Sequence, residues 1–311
     1  MELITNLDGI PSIKKPIVTS GTFDGVHFGH QKILVRLRRQ AKKLHGCSVL
    51  LTYWPHPRYV LGNGWGDLKL LNTFDEKVSL IAKNGIDYMI KIPFTREFSE
   101  MRAYHFIEEI LVNRIATHQL LLGYDHRFGK NAEGGFEFLK AHQEKFQIQL
   151  EEIPRQDIEN SGVSSTRIRE YLHKGHVSNA AKLLGRYYQI EGIIEKGDQI
   201  GRQLGFPTAN LHIDQEYKLI PKDGVYAIQA IVDGINYKGM LNIGFRPTIG
   251  GLKKKIEAHI FDFDQDIYGR NMKVNFVGRI REEKKFNDRK KLIDQLLIDK
   301  ENSLSVLTYV P

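Results

Sequence analysis

Residues 18–37 read VTSGTFDGVHFGHQKILVRL: an apolar strand-like start, a turn punctuated by glycine, then apolar residues at helical spacing. Gly21 ends the strand, Gly25 and Gly29 let backbone approach a ligand closely, and a helix opening near His30 aims its first N–H groups at that ligand. An anion is welcome there. His27 and His30, three apart, share a face and can donate to phosphate oxygens, where charge builds during phosphoryl transfer. A metal would need a third and usually a fourth ligand, and the pair lacks the HExxH spacing. A structural pair is the ordinary reading of two isolated histidines, but the glycines on both sides favour a phosphate site.

Outward from this stretch, residues 17 to about 150 alternate short apolar runs with amphipathic ones: PIVTSGTFDG then HQKILVRLRRQAKKL, CSVLLTYWP then the loop HPRYVLGNGWGD, EKVSLIAKNG then DYMIKIPF, AYHFIEEILVNRI then HQLLLGYDHRFG. Such alternation predicts a mostly parallel sheet flanked by helices, with ligands beyond the carboxyl ends of the strands. STRIREYLHKGHVSNAAKLLGRYY reads as one or two helices. Beyond it, closely spaced strand candidates (YQIEGIIEKG, GVYAIQAIVDG, INYKGMLNIG, KIEAHIFDFD, MKVNFVGRIR) predict a small all-β barrel, closed off by the amphipathic helix DRKKLIDQLLIDKENSLSVL. The boundary falls near Leu184-Gly185, giving domains 1–184 and 185–311.

At 311 residues, two domains are the expectation. No apolar run approaches the roughly 20 residues that span a bilayer, and Met1-Glu2-Leu3 does not open a signal segment, so a cytoplasmic protein without a membrane partner is expected. The single Cys47 excludes an intramolecular disulfide and reads as a core thiol. Forty-five Lys+Arg against 37 Asp+Glu gives +8, which suits an anionic partner without naming it. The basic clusters RLRRQAKK and LKKKIE carry no interleaved aromatics, which counts against nucleic acid.

A second piece is SGVSSTRIREYL, residues 161–172. Ser164, Ser165 and Thr166 suit a helix cap, with Arg167 and Arg169 following in the first turn, so hydroxyls, N–H groups and guanidinium would gather near one anion. Beside the histidine motif this suggests a clamp on a triphosphate. GYDHRFGKN is not a Walker A loop, having one residue too many and no Ser or Thr after Lys130.

Taken together, GTFDGVHFGH, TYWPHP, LLGYDHRFG and SSTRIRE resemble the adenylyltransferase half of the bacterial bifunctional riboflavin kinase and FAD synthetase family. GDQIGRQLGFPTANL, DGVYA, NIGFRPTIGG, IEAHIFDFDQDIYG and FVGRIREEKKF resemble its flavokinase module in order. The resemblance implies a Rossmann-like nucleotidyltransferase domain followed by a β-barrel kinase. It implies phosphorylation of riboflavin to FMN, then transfer of AMP from ATP to FMN to give FAD and pyrophosphate, with Mg2+ and without a covalent intermediate. By motif, Gly21, Thr22, Phe23, Asp24, Gly25, His27 and His30 would bind ATP, with Ser165, Thr166 and Arg169 on the leaving β and γ groups. His56 and Asp125 would line the flavin side, and His126 stands where the family is expected to carry an aromatic, usually Phe.

In the second half, Gly201 and Gly205 offer a loop that approaches phosphates, and Pro207 stiffens the turn displaying Thr208 and Asn210. Their neutral hard oxygens suit Mg2+, and the resemblance makes them the nucleotide and metal site of the kinase. Strand periodicity puts Glu257, His259 and Phe261 on one face and Ile256, Ala258 and Ile260 on the other. By resemblance Glu257 is the base for the riboflavin 5′-hydroxyl, with Arg279 and Arg281 stabilising charge or shaping the pocket. The partners expected are small nucleotides and flavins, with weak self-association allowed. Two other readings stay open at this point: a nucleotidyltransferase for another phosphorylated acceptor with a binding-only barrel, and a non-catalytic RNA-binding protein.

Overall fold

All five residues of β2 (Pro16–Ser20) are buried, as expected of a strand inside a parallel sheet that is covered on both faces. The computed structural model describes residues 1–62, 68–123, 126–154, 162–197, 200–248 and 251–308, with the backbone alone for 200, 246–248 and 251–253. Asp125, a candidate flavin residue, lies outside the described residues. The chain packs as two units, Met1–Ser165 and Thr166–Pro311.

In the first unit, β1 (Glu2–Ile4), β2, β3 (Cys47–Trp54), β4 (Tyr88–Pro93), β5 (Gln119–Gly123) and β6 (Gln149–Ile153) form one sheet in the order β1-β4-β3-β2-β5-β6. Every pairing is parallel. Successive strand residues point to opposite faces, so the sheet feeds two cores. Val18, Val49, Leu51, Ile90 and Leu120 pack with Phe106 and Leu111 on one side. Ile17, Leu50, Met89 and Leu121 meet Leu34 and Leu37 of α1 (Phe28–Lys43) on the other. Each fully buried leucine of α1 contributes about 1.5–3 kcal/mol. Cys47, the first residue of β3, is half-buried against the first of these cores. The order reverses between β2 and β5, which makes the carboxyl ends of those strands the switch point where ligands of such sheets bind.

α1 begins at Phe28, two residues earlier than the spacing predicts, because His27 itself is the cap: its Nδ1 accepts the His30 N–H at 3.3 Å. Gly29 therefore lies buried inside the first turn. The stretch HPRYVLGNGWGD, read as a loop, contains a short helix at Pro57–Leu61.

The second unit opens with two helices, Ser165–His173 reaching across the division and Val177–Leu184, separated at Gly175, whose φ is +78°. A closed antiparallel barrel follows, in the order β10-β11-β8-β7-β12-β9. Its strands are β7 (Tyr188–Glu195), β8 (Ala209–His212), β9 (Gly224–Val232), β10 (Ile235–Thr248), β11 (Gly251–Ile260) and β12 (Asn271–Arg281). The β9–β10 hairpin turns on Asp233 and Gly234, both at positive φ (51° and 80°), the geometry a two-residue hairpin wants. Inside, Tyr226 meets Phe276 edge-on with centroids 5.2 Å apart. The terminal helix Arg289–Thr308 places Leu307 against Phe206, Met240, Phe261 and Val277. The helix packs on β9, β10 and β12, and Phe261, just after β11, is buried in that cluster, as Ile256, Ala258 and Ile260 of β11 are buried in the barrel.

Candidate functional site

The loop after β2 is held by its own polar residues. Asp24 is 5% exposed and its carboxylate accepts the N–H groups of Leu71 (3.0 and 3.2 Å) and Asn72 (3.2 Å). Phe23 and Val26 sit at φ 49° and 38°, a strained region for such side chains, and the Val26 N–H closes the turn on the Phe23 carbonyl at 3.2 Å. Gly25 takes φ 89°, and a Cβ on Gly21 would come within 3.0 Å of the Phe23 ring. The loop delivers His27 and His30 as a stacked pair, with centroids 3.7 Å apart and an interplanar angle of 14°. Because the His27 Nδ1 accepts from the backbone, the proton of the neutral ring sits on Nε2. Phe23 packs against His30 at 4.8 Å.

Across 141 residues of sequence, the Ser165 hydroxyl donates to the Asp24 carbonyl at 2.8 Å. The start of SSTRIRE and the GTFDGVHFGH loop therefore meet at one place. Thr166 and Arg169 continue the same helix.

At the switch point lies a cleft of about 610 Å³ lined by Gly21, Thr22, Tyr53, Phe98, His126 and Phe128, among others. His126, one of its lining residues, lies shortly after β5, and its Nε2 is 2.9 Å from Ser20 Oγ at the end of β2. Ser20 also bonds the Tyr53 phenol, which burial pushes up to about 12 against that bond. His126 stacks loosely on Phe128, at 6.2 Å and 29°. His56 is 8% exposed and caps the helix Pro57–Leu61 through Nδ1, which accepts the Arg58 N–H at 3.2 Å. Pro57 and Leu61 of that helix line the cleft.

The barrel has its own cavity of about 510 Å³, lined by Gly201, Thr208, Glu257, His259, Arg281 and Phe286, among others. Glu257 thus faces a cavity and not bulk solvent. It stands directly opposite Asn210 in the β11–β8 register. A Cβ on Gly197 would lie 2.1 Å from the Asn210 amide, and one on Gly201 only 2.3 Å from the Phe206 carbonyl and 3.3 Å from the Thr208 hydroxyl, so glycine is required for the chain to wrap both side chains. Gly205, at φ 81°, has open space around it. Thr208 and Glu257 line this cavity and Asn210 pairs with Glu257 in the ladder; neutral side-chain oxygens and a carboxylate are the donor types that Mg2+ takes beside water and phosphates. Among the described residues no group of three or more His, Cys, Asp or Glu side chains could hold a metal by itself.

Two supporting contacts depend on partners far along the chain. The His259 Nδ1–H donates to the Pro207 carbonyl at 2.8 Å, pinning the turn that displays Thr208, and burial pulls its pKa below the ordinary histidine value. Its place two residues after Glu257 on one strand face is the one clue. Arg281, which reaches the cavity, is gripped by Asp299 of the terminal helix: Nη2 at 2.7 Å and Nε at 2.9 and 3.1 Å. The Arg279 guanidinium donates to the Asp223 carbonyl at 2.6 Å and packs against Gly175.

The family model for FAD synthetase matches residues 10–167 and that for riboflavin kinase matches residues 184–307. The bifunctional riboflavin kinase/FMN adenylyltransferase of Haemophilus influenzae is 38% identical over 271 residues, 86% of this chain and 87% of the relative. The protein of the same name from Bacillus subtilis is 33% identical over 295 residues, 93% and 92% of the two chains. A crystal structure from Streptococcus pneumoniae described as a macrolide-efflux protein superposes with a TM-score of 0.88 at 30% identity, covering 97% of this chain and 98% of that one. Among the described residues of this chain, no helix is long and apolar enough to cross a membrane. Two family models in tandem, and relatives matched nearly end to end, leave no room for the RNA-binding reading or for a barrel that only binds: the chain belongs to the bifunctional riboflavin kinase/FMN adenylyltransferase family.

Proposed function

We propose that the two activities divide along the chain, with residues 1–184 adenylylating FMN and residues 185–311 phosphorylating riboflavin. The observation that supports the first assignment is the Ser165–Asp24 hydrogen bond, which ties the first residue of the helix Ser165–His173 to the GTFDGVHFGH loop. There Gly21, Thr22, Phe23, Asp24 and Gly25 shape the ATP loop, and His27 and His30 donate to the phosphates. Ser165, Thr166 and Arg169 hold the β and γ groups. An FMN phosphate oxygen attacks the α-phosphorus, the α–β anhydride bond breaks, and its electron pair leaves on pyrophosphate. Such chemistry needs position and charge stabilisation, with no enzyme nucleophile. The flavin lies in the cleft of about 610 Å³, with His56 on that side; Asp125, outside the described residues, keeps its flavin role by motif alone.

In the barrel, Glu257 accepts the proton of the riboflavin 5′-hydroxyl as that oxygen attacks the γ-phosphorus of ATP and ADP departs. Thr208 and Asn210 would hold Mg2+, and Gly201 and Gly205 would bring backbone to the phosphates. When bound, the ion would neutralise charge on the transferring group. The cavity position of Glu257 opposite Asn210 supports this reading. We place the enzyme in the cytoplasm, with small nucleotides and flavins as its partners. Glu257→Gln is expected to abolish FMN formation while supplied FMN still becomes FAD, and His30→Ala is expected to do the reverse. Equal loss of both activities in either variant overturns the division.

A further inference from the structure

Lys77 lies on the helix Phe74–Lys83 and takes no part in the chemistry above, yet it is only 4% exposed. Its ammonium donates to the Thr22 carbonyl at 3.2 Å and to the Thr52 hydroxyl at 3.0 Å. It also lies 5.4 Å from the ring centroids of both Trp54 and Phe74. The Thr52 hydroxyl is 3.5 Å from the same Thr22 carbonyl, so ammonium, hydroxyl and carbonyl close a triangle beneath the phosphate loop. Burial disfavours the charge and pulls the pKa down to about 8, with the Asp24 carboxylate opposing that shift. An expensive buried cation persists where it does something a neutral side chain would not.

The loop above it shows what that is. Phe23 and Val26, one bulky and one β-branched, are both at positive φ, and such backbone persists only where its surroundings over-determine it. Asp24 ties the middle of the turn to Leu71 and Asn72, and Ser165 ties the Asp24 carbonyl. Lys77 ties the entry, at Thr22.

We propose that Lys77 is a positioning residue for adenylyl transfer, its ammonium holding the strained Thr22–Val26 turn in the conformation that presents His27 and His30 to the phosphates of ATP. This rests on the reading of that turn as the ATP loop. Because it acts through the loop and touches no reacting atom, its loss falls on kcat more than on KM.

The test uses the full chain carrying Lys77→Met, which keeps the length and removes the charge. Adenylylation of supplied FMN is expected to lose at least tenfold in kcat, with the ATP KM changed less than threefold and riboflavin phosphorylation within twofold of the unsubstituted protein. Hydrogen exchange of a peptide spanning 21–30 is expected to quicken, while that of β3 and β4 stays unchanged. Should Lys77→Met fail to fold, Thr52→Val removes one partner of the ammonium at nearly constant volume and is expected to lower adenylylation two- to fivefold. A folded Lys77→Met with adenylylation within twofold and unchanged exchange at 21–30 overturns the proposal. So does a folded variant whose exchange quickens equally throughout the sheet, and so does Thr52→Val without effect when it is the only folded variant. His30→Ala separates the two layers: if it adenylylates normally the ATP-loop reading itself fails, whereas inactive His30→Ala beside active Lys77→Met sinks only the role of Lys77.

Discussion

Asp299 is fully buried, and its partner Arg281 keeps 15% of its side chain exposed. Asp299→Ala strands the guanidinium beside an apolar wall and also removes the acceptor of the Gln295 amide at 2.9 Å. Breaking one side of such a buried pair costs about 3–5 kcal/mol. A domain holds about 5–15 kcal/mol in all, so roughly a fifth or more of the second unit's stability is at stake. At roughly 2–4 °C per kcal/mol for a unit of this size, its melting transition falls by roughly 6–20 °C. Scanning calorimetry, with hydrogen exchange to assign the transition, measures this. Phosphorylation of riboflavin is expected to fall because Arg281 loses the group that aims it into the cavity, while supplied FMN is still adenylylated. The double variant Arg281→Met with Asp299→Leu is expected to recover most of the stability and none of the kinase activity, since an apolar pair replaces the ion pair without leaving a charge behind. A drop below about 1 kcal/mol in Asp299→Ala, or an equal loss of both activities, would refute this reasoning.

Two further outcomes follow from the first unit. His126→Phe keeps a ring on Phe128 and loses the bond to Ser20; at about 0.5–1.5 kcal/mol for a neutral hydrogen bond, the KM for FMN in adenylylation rises roughly 2- to 12-fold with the riboflavin KM of the kinase unchanged, and an unaltered FMN KM shows that the Ser20 contact does not shape the acceptor cleft. Lys77 has a pKa of about 8 when folded against 10.5 ordinarily, so between those values the unfolded chain binds more protons and Lys77 makes the first unit more stable as pH rises, by up to roughly 3 kcal/mol. The Asp24 carboxylate opposes this shift, and Lys91 lies 5.5 Å from the centroid of the same Phe74 ring. Urea unfolding of the unsubstituted chain against Lys77→Met isolates the effect, and parallel pH profiles for the two would disprove it.

Both architectures were legible because they depend on local period. Alternating strand and helix patterns gave way near residue 184 to closely spaced strands, and those patterns need no knowledge of distant contacts. The histidine motif and SSTRIRE were likewise readable from residue type. What escaped notice depends on partners far apart in the chain. Lys77 in EKVSLIAKNG looks like any lysine of a solvated helix, and the Thr22 carbonyl and Thr52 hydroxyl, 55 and 25 residues away, explain its burial. Asp299 sits in IDKEN, a charged stretch of an amphipathic helix, and its role appears only when Arg281 of β12 reaches it. The start of α1 was misplaced by two residues because a histidine cap is uncommon beside Ser, Thr, Asp and Asn. Glu257 could be assigned to a face, but whether that face met water or a cavity depended on the terminal helix and barrel closure.

The most direct test of the account is a chromatographic time course of the purified protein with riboflavin, ATP and magnesium. FMN is expected to rise and then give way to FAD, with pyrophosphate released in step with the second product. FMN accumulating without FAD would contradict the assignment of the site at the end of β2, and no conversion of either riboflavin or supplied FMN would contradict both.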